Sequence, residues 1–298
     1  GLGDVYKRQT LKYAKKVEYF MLFDTHLHLI YPERLSYPWL EAVPTLNVPS
    51  TFALYSQKAK RIGISDCLHM EVDVDPLQIH QETVLITELM AEPNSILRGA
   101  ISAARPESVG FGKFLEDAKH NKTIKGFRRV LHTQDDALSQ SQTFRENIKR
   151  LSNTGLTFDL CTLPHQLPII AGLVDFCPDV TFVLDHCGVP DIRGGNLSIW
   201  KRHMSALAER PNIIAKISGI VAYGDVSMWG LDSIRPYFDH TVASFGHHRI
   251  IWGSDSPVCN LGGGLETWVA ATHALTAEWP LDQRQAFFQG TARSIWAV

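Results

Sequence analysis

The sequence predicts a single (β/α)8 barrel, and three observations lead there. Eight short, largely aliphatic segments recur after residue 20: Met21–Thr25, Ser65–Met70, Ile96–Ser102, Ile124–Arg129, Leu156–Cys161, Val180–Asp185, Ile213–Ile217 and Arg249–Gly253. The stretches between them are long enough for helices. Polar and titratable residues gather where the segments end. Aliphatic runs suit parallel strands buried on both faces. Strand–helix alternation repeated eight times points to a barrel.

Several intervening stretches carry helix signals. Asp75-Pro76 can cap and start a helix whose Leu77, Val84, Leu85 and Leu89 lie near helical spacing. Phe144–Leu151 and His165–Phe176 read the same way. Arg202–Glu209 is followed by Arg210-Pro211-Asn212, a stop signal. No linker, repeat or low-complexity stretch calls for a second domain. The barrel domain is therefore expected over residues 21–298. Residues 1–20 are basic, lack the apolar run of a secretory signal, and precede Met21 at the first strand. They read as a leader foreign to the domain, non-native or disordered.

Composition narrows the function classes. The 298 residues are 45% hydrophobic and 20% charged, with a net charge of −2, so no basic field recruits nucleic acid or anionic lipid. No run approaches the ~18 apolar residues of a membrane span. Cys67, Cys161, Cys177, Cys187 and Cys259 are scattered, with no CxxC pair, as expected for reduced thiols in a cytosolic enzyme.

In a barrel the chemistry sits at the C-terminal ends of the strands. The first segment leads into Asp24-Thr25-His26-Leu27-His28, whose alternation puts His26 and His28 on one face. Two imidazoles placed so can share a metal or flank a polarised carbonyl. The second leads to His69, Glu71 and Asp73, the fourth to Arg128 and Arg129, and the fifth from Asp159 to His165. The sixth ends in Asp185-His186, the seventh holds Lys216 and Ser218, and the eighth reaches Asp255.

With Asp24-Thr25-His26-Leu27-His28, Asp185-His186 and Gly253-Ser254-Asp255 in that order, the chain resembles the amidohydrolase superfamily. Tyr37-Pro38-Trp39-Leu40, Gly126-Phe127-Arg128, Lys216-Ile217-Ser218-Gly219 and Trp252 to Val258 resemble its sugar-lactonase branch, the L-fuconolactonase and L-rhamnonolactonase group, related to 2-pyrone-4,6-dicarboxylate lactonase. The resemblance spans Phe23 to about Trp296. It implies a hydrolase that opens a sugar-derived lactone, with a small molecule as its only implied partner.

Binuclear members of that superfamily use a carboxylated lysine on strand four and a histidine on strand five. Here strand four ends in arginines, and strand five carries Asp159 and Cys161. The expectation is one divalent ion among His26, His28, His186 and Asp255, with zinc suited to three nitrogens and one oxygen, or a reaction needing no metal. Asp255 is expected to take a proton from the attacking water and return it to the leaving alkoxide, with His186 polarising the carbonyl or binding metal. Arg128 offers a donor fork to a polar oxygen, while Arg129 points the other way. Glu71 and Asp73 bind sugar hydroxyls or solvate their loop. Tyr37, Trp39 and Trp229 are candidate apolar walls against a sugar ring. His247-His248 precedes strand eight, on the wrong end for catalysis. Gly262-Gly263-Gly264 lacks the Lys and Ser/Thr of a phosphate loop and reads as flexible. Competing readings are hydrolysis of a pyrone dicarboxylate, metal-dependent decarboxylation, and a non-catalytic binding barrel.

Overall fold

The computed structural model describes residues 20–195 and 197–298. Eight strands form one parallel sheet in chain order: β1 (Leu22–Leu27), β2 (Ile64–Met70), β3 (Leu97–Ala103), β4 (Ile124–Val130), β5 (Thr157–Cys161), β6 (Phe182–Leu184), β7 (Ile213–Ser218) and β8 (Ile250–Gly253). Every predicted segment becomes a strand. The leader reading falls on residues 1–20, of which 1–19 lie outside the described residues.

The barrel closes between β1 and β8 just beyond the strand ends. Leu27 bridges Ser256 in parallel. His28 N–H donates to Ser256 O and Asp255 N–H to His26 O, both at 2.8 Å. Thr25 Oγ1 adds a bond to Trp252 O at 2.7 Å. The seam that shuts the barrel therefore runs through the predicted catalytic residues.

β1 does not keep strict alternation. Its register against β2 shifts between Asp24 and Leu27. Asp24 turns toward the helix layer, where its carboxylate accepts from Tyr55 Oη (2.6 Å) on helix Phe52–Arg61, while His26 and His28 converge. Such register irregularities re-aim side chains beside active sites. Asp24 also accepts from the backbone N–H of His26 (3.1 Å) and Ser254 (2.7 Å), tying β1 to the β8 exit.

Below the site the barrel interior is packed with Phe23, Leu68, Met70, Ile101, Val183, Ile214 and Ile251. Trp296 of the C-terminal helix Thr291–Trp296 joins this cluster, edge-on to Phe23 at 6.4 Å. Full burial of such side chains stabilises by about 1.5–3 kcal/mol each. A second, larger core lies between barrel and helices.

The predicted helices form with shifted edges. Asp75 Oδ1 caps a short 3-10 turn, Pro76–Gln78, which runs into helix Ile79–Met90. That helix buries Leu85, Ile86 and Leu89, whereas Leu77 and Val84 are exposed, so its inner stripe is narrower than the sequence spacing suggests. Among the described residues no helix is long and apolar enough to cross a membrane.

Candidate active site

The side chains that converge at the barrel mouth come from β1, β4 and the exits of β6 and β8. His26 Nε2 and His28 Nε2 stand 3.2 Å apart. Asp255 Oδ1 lies 3.6 Å from the first and 3.4 Å from the second. His186 Nδ1 is 3.7 Å from Asp255 Oδ2. His26 and Asp255 are buried, and His28 borders a cavity of about 320 Å³ whose lining includes Asp255, His186, Arg128, Trp39 and Tyr223.

The backbone is bent to aim these groups. Asp255 (φ 59°), His186 (φ 52°) and Cys187 (φ 54°) all occupy the left-handed region. That conformation costs about 1–3 kcal/mol per non-glycine residue and clusters at functional sites. Tertiary bonds hold it: Asp255 N–H to His26 O, Cys259 N–H to Asp255 O (2.8 Å), and Trp200 Nε1 to Cys187 O (2.9 Å). Gly219 (φ 62°) lies against the Asp255 carboxylate so closely that a Cβ there would strike Oδ2. This is a packing reason for glycine in the Ser218-Gly219 motif.

Burial dominates the electrostatics. It pushes His28 down to about 3, with the Arg128 charge acting the same way, and it also lowers His26 and His186. Burial pushes Asp255 up to about 6, although His186 and Arg128 pull against it. Burial is the largest effect on the Arg128 cation and works against it, but the charge and hydrogen bond of Glu71 together with nearby acidic groups such as Asp185 outweigh it and keep the guanidinium charged.

The donor set fits a metal. Ligand atoms about 2.0–2.1 Å from a tetrahedral ion lie roughly 3.3 Å from one another, close to the separations of His26 Nε2, His28 Nε2 and Asp255 Oδ1. These three form one group able to hold an ion, and His26, Asp185 and His186 form another. His28 donates Nδ1–H to Met70 O (3.0 Å), which leaves Nε2 bare, the usual outer partner of a ligating imidazole. Asp255 Oδ2 is buried with no hydrogen-bond partner.

Other predicted site residues are placed differently. The four-residue ligand set resolves into His26, His28 and Asp255, with His186 outside that cluster and its Nδ1 2.9 Å from Ser218 Oγ. Glu71 is not free to meet a sugar hydroxyl: Arg128 Nε donates to its Oε1 (2.6 Å), and it also accepts Asp73 N–H. Asp73 does line the cavity, paired with Arg105 at 3.4 Å. Trp39 lines the cavity and donates to Val72 O. Tyr37 is buried to one side, its hydroxyl accepting from Tyr31 N–H. Trp229 donates to Gly262 O and lines a separate groove with Leu231 and Ala271. Both fall short because aromatic type alone carries no direction. Arg129 points away, onto Glu107, as alternation predicts. His165 is exposed beside Asp136, and His247 packs on Trp279.

Sequence reasoning missed Tyr223 and His132, and it named Lys216 without giving it a role. Tyr223 lines the cavity edge-on to His186 at 5.7 Å. His132 lies at the rim with Nδ1 3.1 Å from Cys161 Sγ. Lys216 is wholly buried, 2.6 Å from Asp159 and 2.9 Å from Asp185. A lysine inside Ile213-Ile214-Ala215-Lys216-Ile217 was the available signal, since no solvated position exists in such a strand.

Comparison with known proteins agrees with the fold. The amidohydrolase family matches residues 23–298. The protein y4mH of Sinorhizobium fredii is 26% identical over 93% of this chain and 98% of its own length. Two relatives are named L-fucono-1,5-lactonase. That of Burkholderia ambifaria is 31% identical over 47% of this chain and 48% of its own, and that of Burkholderia multivorans is 28% identical over 59% and 63%. The chain thus spans less than two thirds of either lactonase. A crystal structure of a zinc-bound amidohydrolase from Burkholderia multivorans shares the fold at a TM-score of 0.84, with 21% identity over 93% of this chain and 99% of that one. A putative 2-pyrone-4,6-dicarboxylic acid hydrolase from Pseudomonas putida superposes at 0.71, with 21% identity over 93% and 98%. The chain belongs to the amidohydrolase family and is a hydrolase built on that family's barrel.

Proposed function

We propose that this protein opens the ring of a sugar-derived lactone, an aldonolactone, by attack of water at the carbonyl. The observation that carries the reading is Asp255: a buried carboxylate held in a strained turn, facing both β1 imidazoles at a cavity of small-molecule size. The two lactonase-named relatives support it.

His26, His28 and Asp255 Oδ1 would hold a divalent cation, zinc being suited to that set. Such an ion would polarise the carbonyl and help generate the nucleophile. Asp255 Oδ2, free of any other partner, takes a proton from the attacking water; when the ring C–O bond breaks, the proton passes to the departing alkoxide. His28 cannot donate to an oxyanion, because its single N–H is committed to Met70 O. His186 faces acceptors at Nδ1, the Ser218 carbonyl (3.2 Å) and Asp255 Oδ2 (3.7 Å), so its proton belongs on Nδ1 and its bare Nε2 is left to accept or to ligate. Arg128 contributes charge rather than a free fork, since Nε and Nη2 already bind Glu71. Trp39 and Leu261 supply apolar wall.

A pyrone dicarboxylate is the second reading. It requires several convergent cations for its two carboxylates. Arg128 is the one arginine lining the cavity among the described residues, and its charge is already partnered by Glu71. That disfavours a dianion and favours a neutral, hydroxyl-rich ring. Proton release measured on fucono-, rhamnono- and galactono-lactones, beside the pyrone, tests the choice. Turnover of the pyrone with none on any sugar lactone would replace the proposal.

A further inference from the structure

The polar neighbours of the His26 ring offer a donor and an acceptor at each nitrogen, with the Asp255 carboxylate a further acceptor 3.6 Å from Nε2. At Nδ1 stand the Lys216 ammonium, which can only donate, and Asp185 Oδ1, which as a carboxylate only accepts, each at 3.4 Å. At Nε2 stand Arg128 Nη1, donor only, at 3.4 Å, and the bare Nε2 of His28, acceptor only, at 3.2 Å. A neutral imidazole has one N–H and one bare nitrogen. Two tautomers therefore each satisfy one partner at each end. With its proton on Nε2, His26 donates to His28 and accepts from Lys216. With its proton on Nδ1, it donates to Asp185 and turns a bare Nε2 toward Arg128. The ring is wholly buried, so water does not decide between them.

The two forms differ toward a cation. An ion shared by His26 and His28 needs both Nε2 atoms bare, which only the Nδ1–H form provides. The Lys216–His26 and His26–His28 contacts, both belonging to the Nε2–H form, are aligned as hydrogen bonds, and of the Nδ1–H form's two contacts the one from Arg128 is aligned as well. Asp185 Oδ1 has no aligned donor, although Lys216 Nζ is 2.9 Å away and His26 Nδ1 3.4 Å. The Nε2–H form thus has both of its contacts directed, while the Nδ1–H form has the Arg128 contact but lacks an aligned bond to Asp185.

We propose that Lys216 holds His26 in the tautomer that closes its Nε2 to a metal, that Asp185 holds the alternative, and that this pair sets how tightly the site takes a divalent cation. Lys216 is then a positioning residue acting through His26. The inference rests on the reading of His26, His28 and Asp255 as the metal site. The ring keeps its charge: on loading, one proton leaves Nε2 and one arrives at Nδ1, while Lys216 stays an ammonium paired with Asp159.

Long-range ¹⁵N–¹H spectra of histidine-labelled protein test this directly, with His26 assigned from its disappearance in His26→Gln. Chelator-stripped wild type should show His26 as Nε2–H, and zinc-loaded protein as Nδ1–H. A stripped protein already in the Nδ1–H form overturns the proposal without recourse to any Lys216 variant. Lys216→Met combined with Asp159→Leu removes that buried pair together, and Asp185, which loses Lys216, keeps Arg128 Nη1 at 3.5 Å. In that variant the stripped spectrum should shift to Nδ1–H. Zinc affinity, read by competition with a chromophoric chelator, should tighten by about fivefold or more, the worth of one hydrogen bond. Unchanged tautomer and affinity in the folded double variant overturn it as well. Wild type that takes no divalent cation at millimolar concentration removes both the coupling and the metal reading, while lactone turnover is judged separately by the substrate panel.

Discussion

Replacing Arg128 by methionine should destabilise the barrel before it reveals anything about substrate. Glu71 is 1% exposed, and its carboxylate depends on Arg128 Nε at 2.6 Å. A second guanidinium nitrogen bonds Glu71 O at 2.8 Å. Removing one partner of a buried ion pair costs about 3–5 kcal/mol, because the other charge is left uncompensated. The charge has few alternatives: the other bond to its carboxylate is from Asp73 N–H at 2.7 Å. In a chain of this size each kcal/mol moves Tm by roughly 2 °C, so the single variant should melt about 5–10 °C lower. Glu71→Gln in the same background keeps an acceptor for Asp73 and removes the stranded charge, and most of the loss should return. Urea denaturation and calorimetry on the wild type, Arg128→Met and Arg128→Met/Glu71→Gln measure this. The sign with pH follows from Glu71, whose carboxyl sits below its ordinary value: burial pushes it up, but Arg128, by charge and hydrogen bond, and the Asp73 N–H together outweigh burial. Its stabilising contribution is complete above the unfolded carboxyl range and disappears as pH falls through the folded value. The single variant's deficit should therefore shrink in acid. Equal stability of wild type and single variant at pH 7 would refute the claim that Arg128 is committed to Glu71.

Asp255→Asn should lower kcat by at least about 10²–10⁴-fold on the best lactone, the usual effect of removing a positioned proton-transfer group; near-normal turnover removes the mechanism. The same change should stabilise chelator-treated protein at pH 8 by on the order of 3 kcal/mol, because burial raises the Asp255 carboxyl to about 6 and its ionisation opposes folding above the unfolded value. That gain should fade as pH falls toward 4, and a variant no more stable than wild type at pH 8 contradicts the raised value. Gly219→Ala should abolish activity while leaving a folded barrel, since its Cβ meets the Asp255 carboxylate and φ 62° adds about 1–2 kcal/mol of strain; retained kcat would show that the carboxylate does not need that position. Starting the chain at Met21 should keep fold and activity, since within the described residues it removes Phe20 alone, a ring that packs on Arg284 and Phe288; an unfolded product would reverse the leader reading.

The barrel was legible because buried parallel strands announce themselves as aliphatic runs, and all eight did. Asp255, His26 and His28 were legible because strand-end position restricts where a side chain can go. Direction was harder. Tyr37 and Trp229 have suitable chemistry, but their rings point elsewhere, and nothing local in the sequence encodes that. Glu71 looked free because its partner lies 57 residues away on β4. Val84 and Leu77 fit helical spacing yet face solvent. The Glu71 and Trp229 misses concern pairings distant in the chain, and the others concern which way a side chain faces, which residue type does not specify.

The β1–β8 seam joins the stability of this fold to its chemistry. In an eight-stranded barrel the last strand must find the first, the contact most distant in sequence. Here the bonds that complete it are made by the backbone of the residues proposed to act. Asp255 N–H binds His26 O, Ser254 N–H binds the Asp24 carboxylate, and His28 N–H binds Ser256 O. The strained turn at Asp255 is held by the same closure, so the carboxylate reaches its place when the barrel is complete. Lys216 then faces inward from β7, next to that seam, between Asp159 and Asp185. Burying three charged groups on neighbouring strands carries a large desolvation penalty that simple packing would avoid. Two of the three, Lys216 and Asp185, meet His26 Nδ1, each at 3.4 Å. A buried charge network that ends on a metal-type imidazole is better explained by control of that ring than by stability of the barrel.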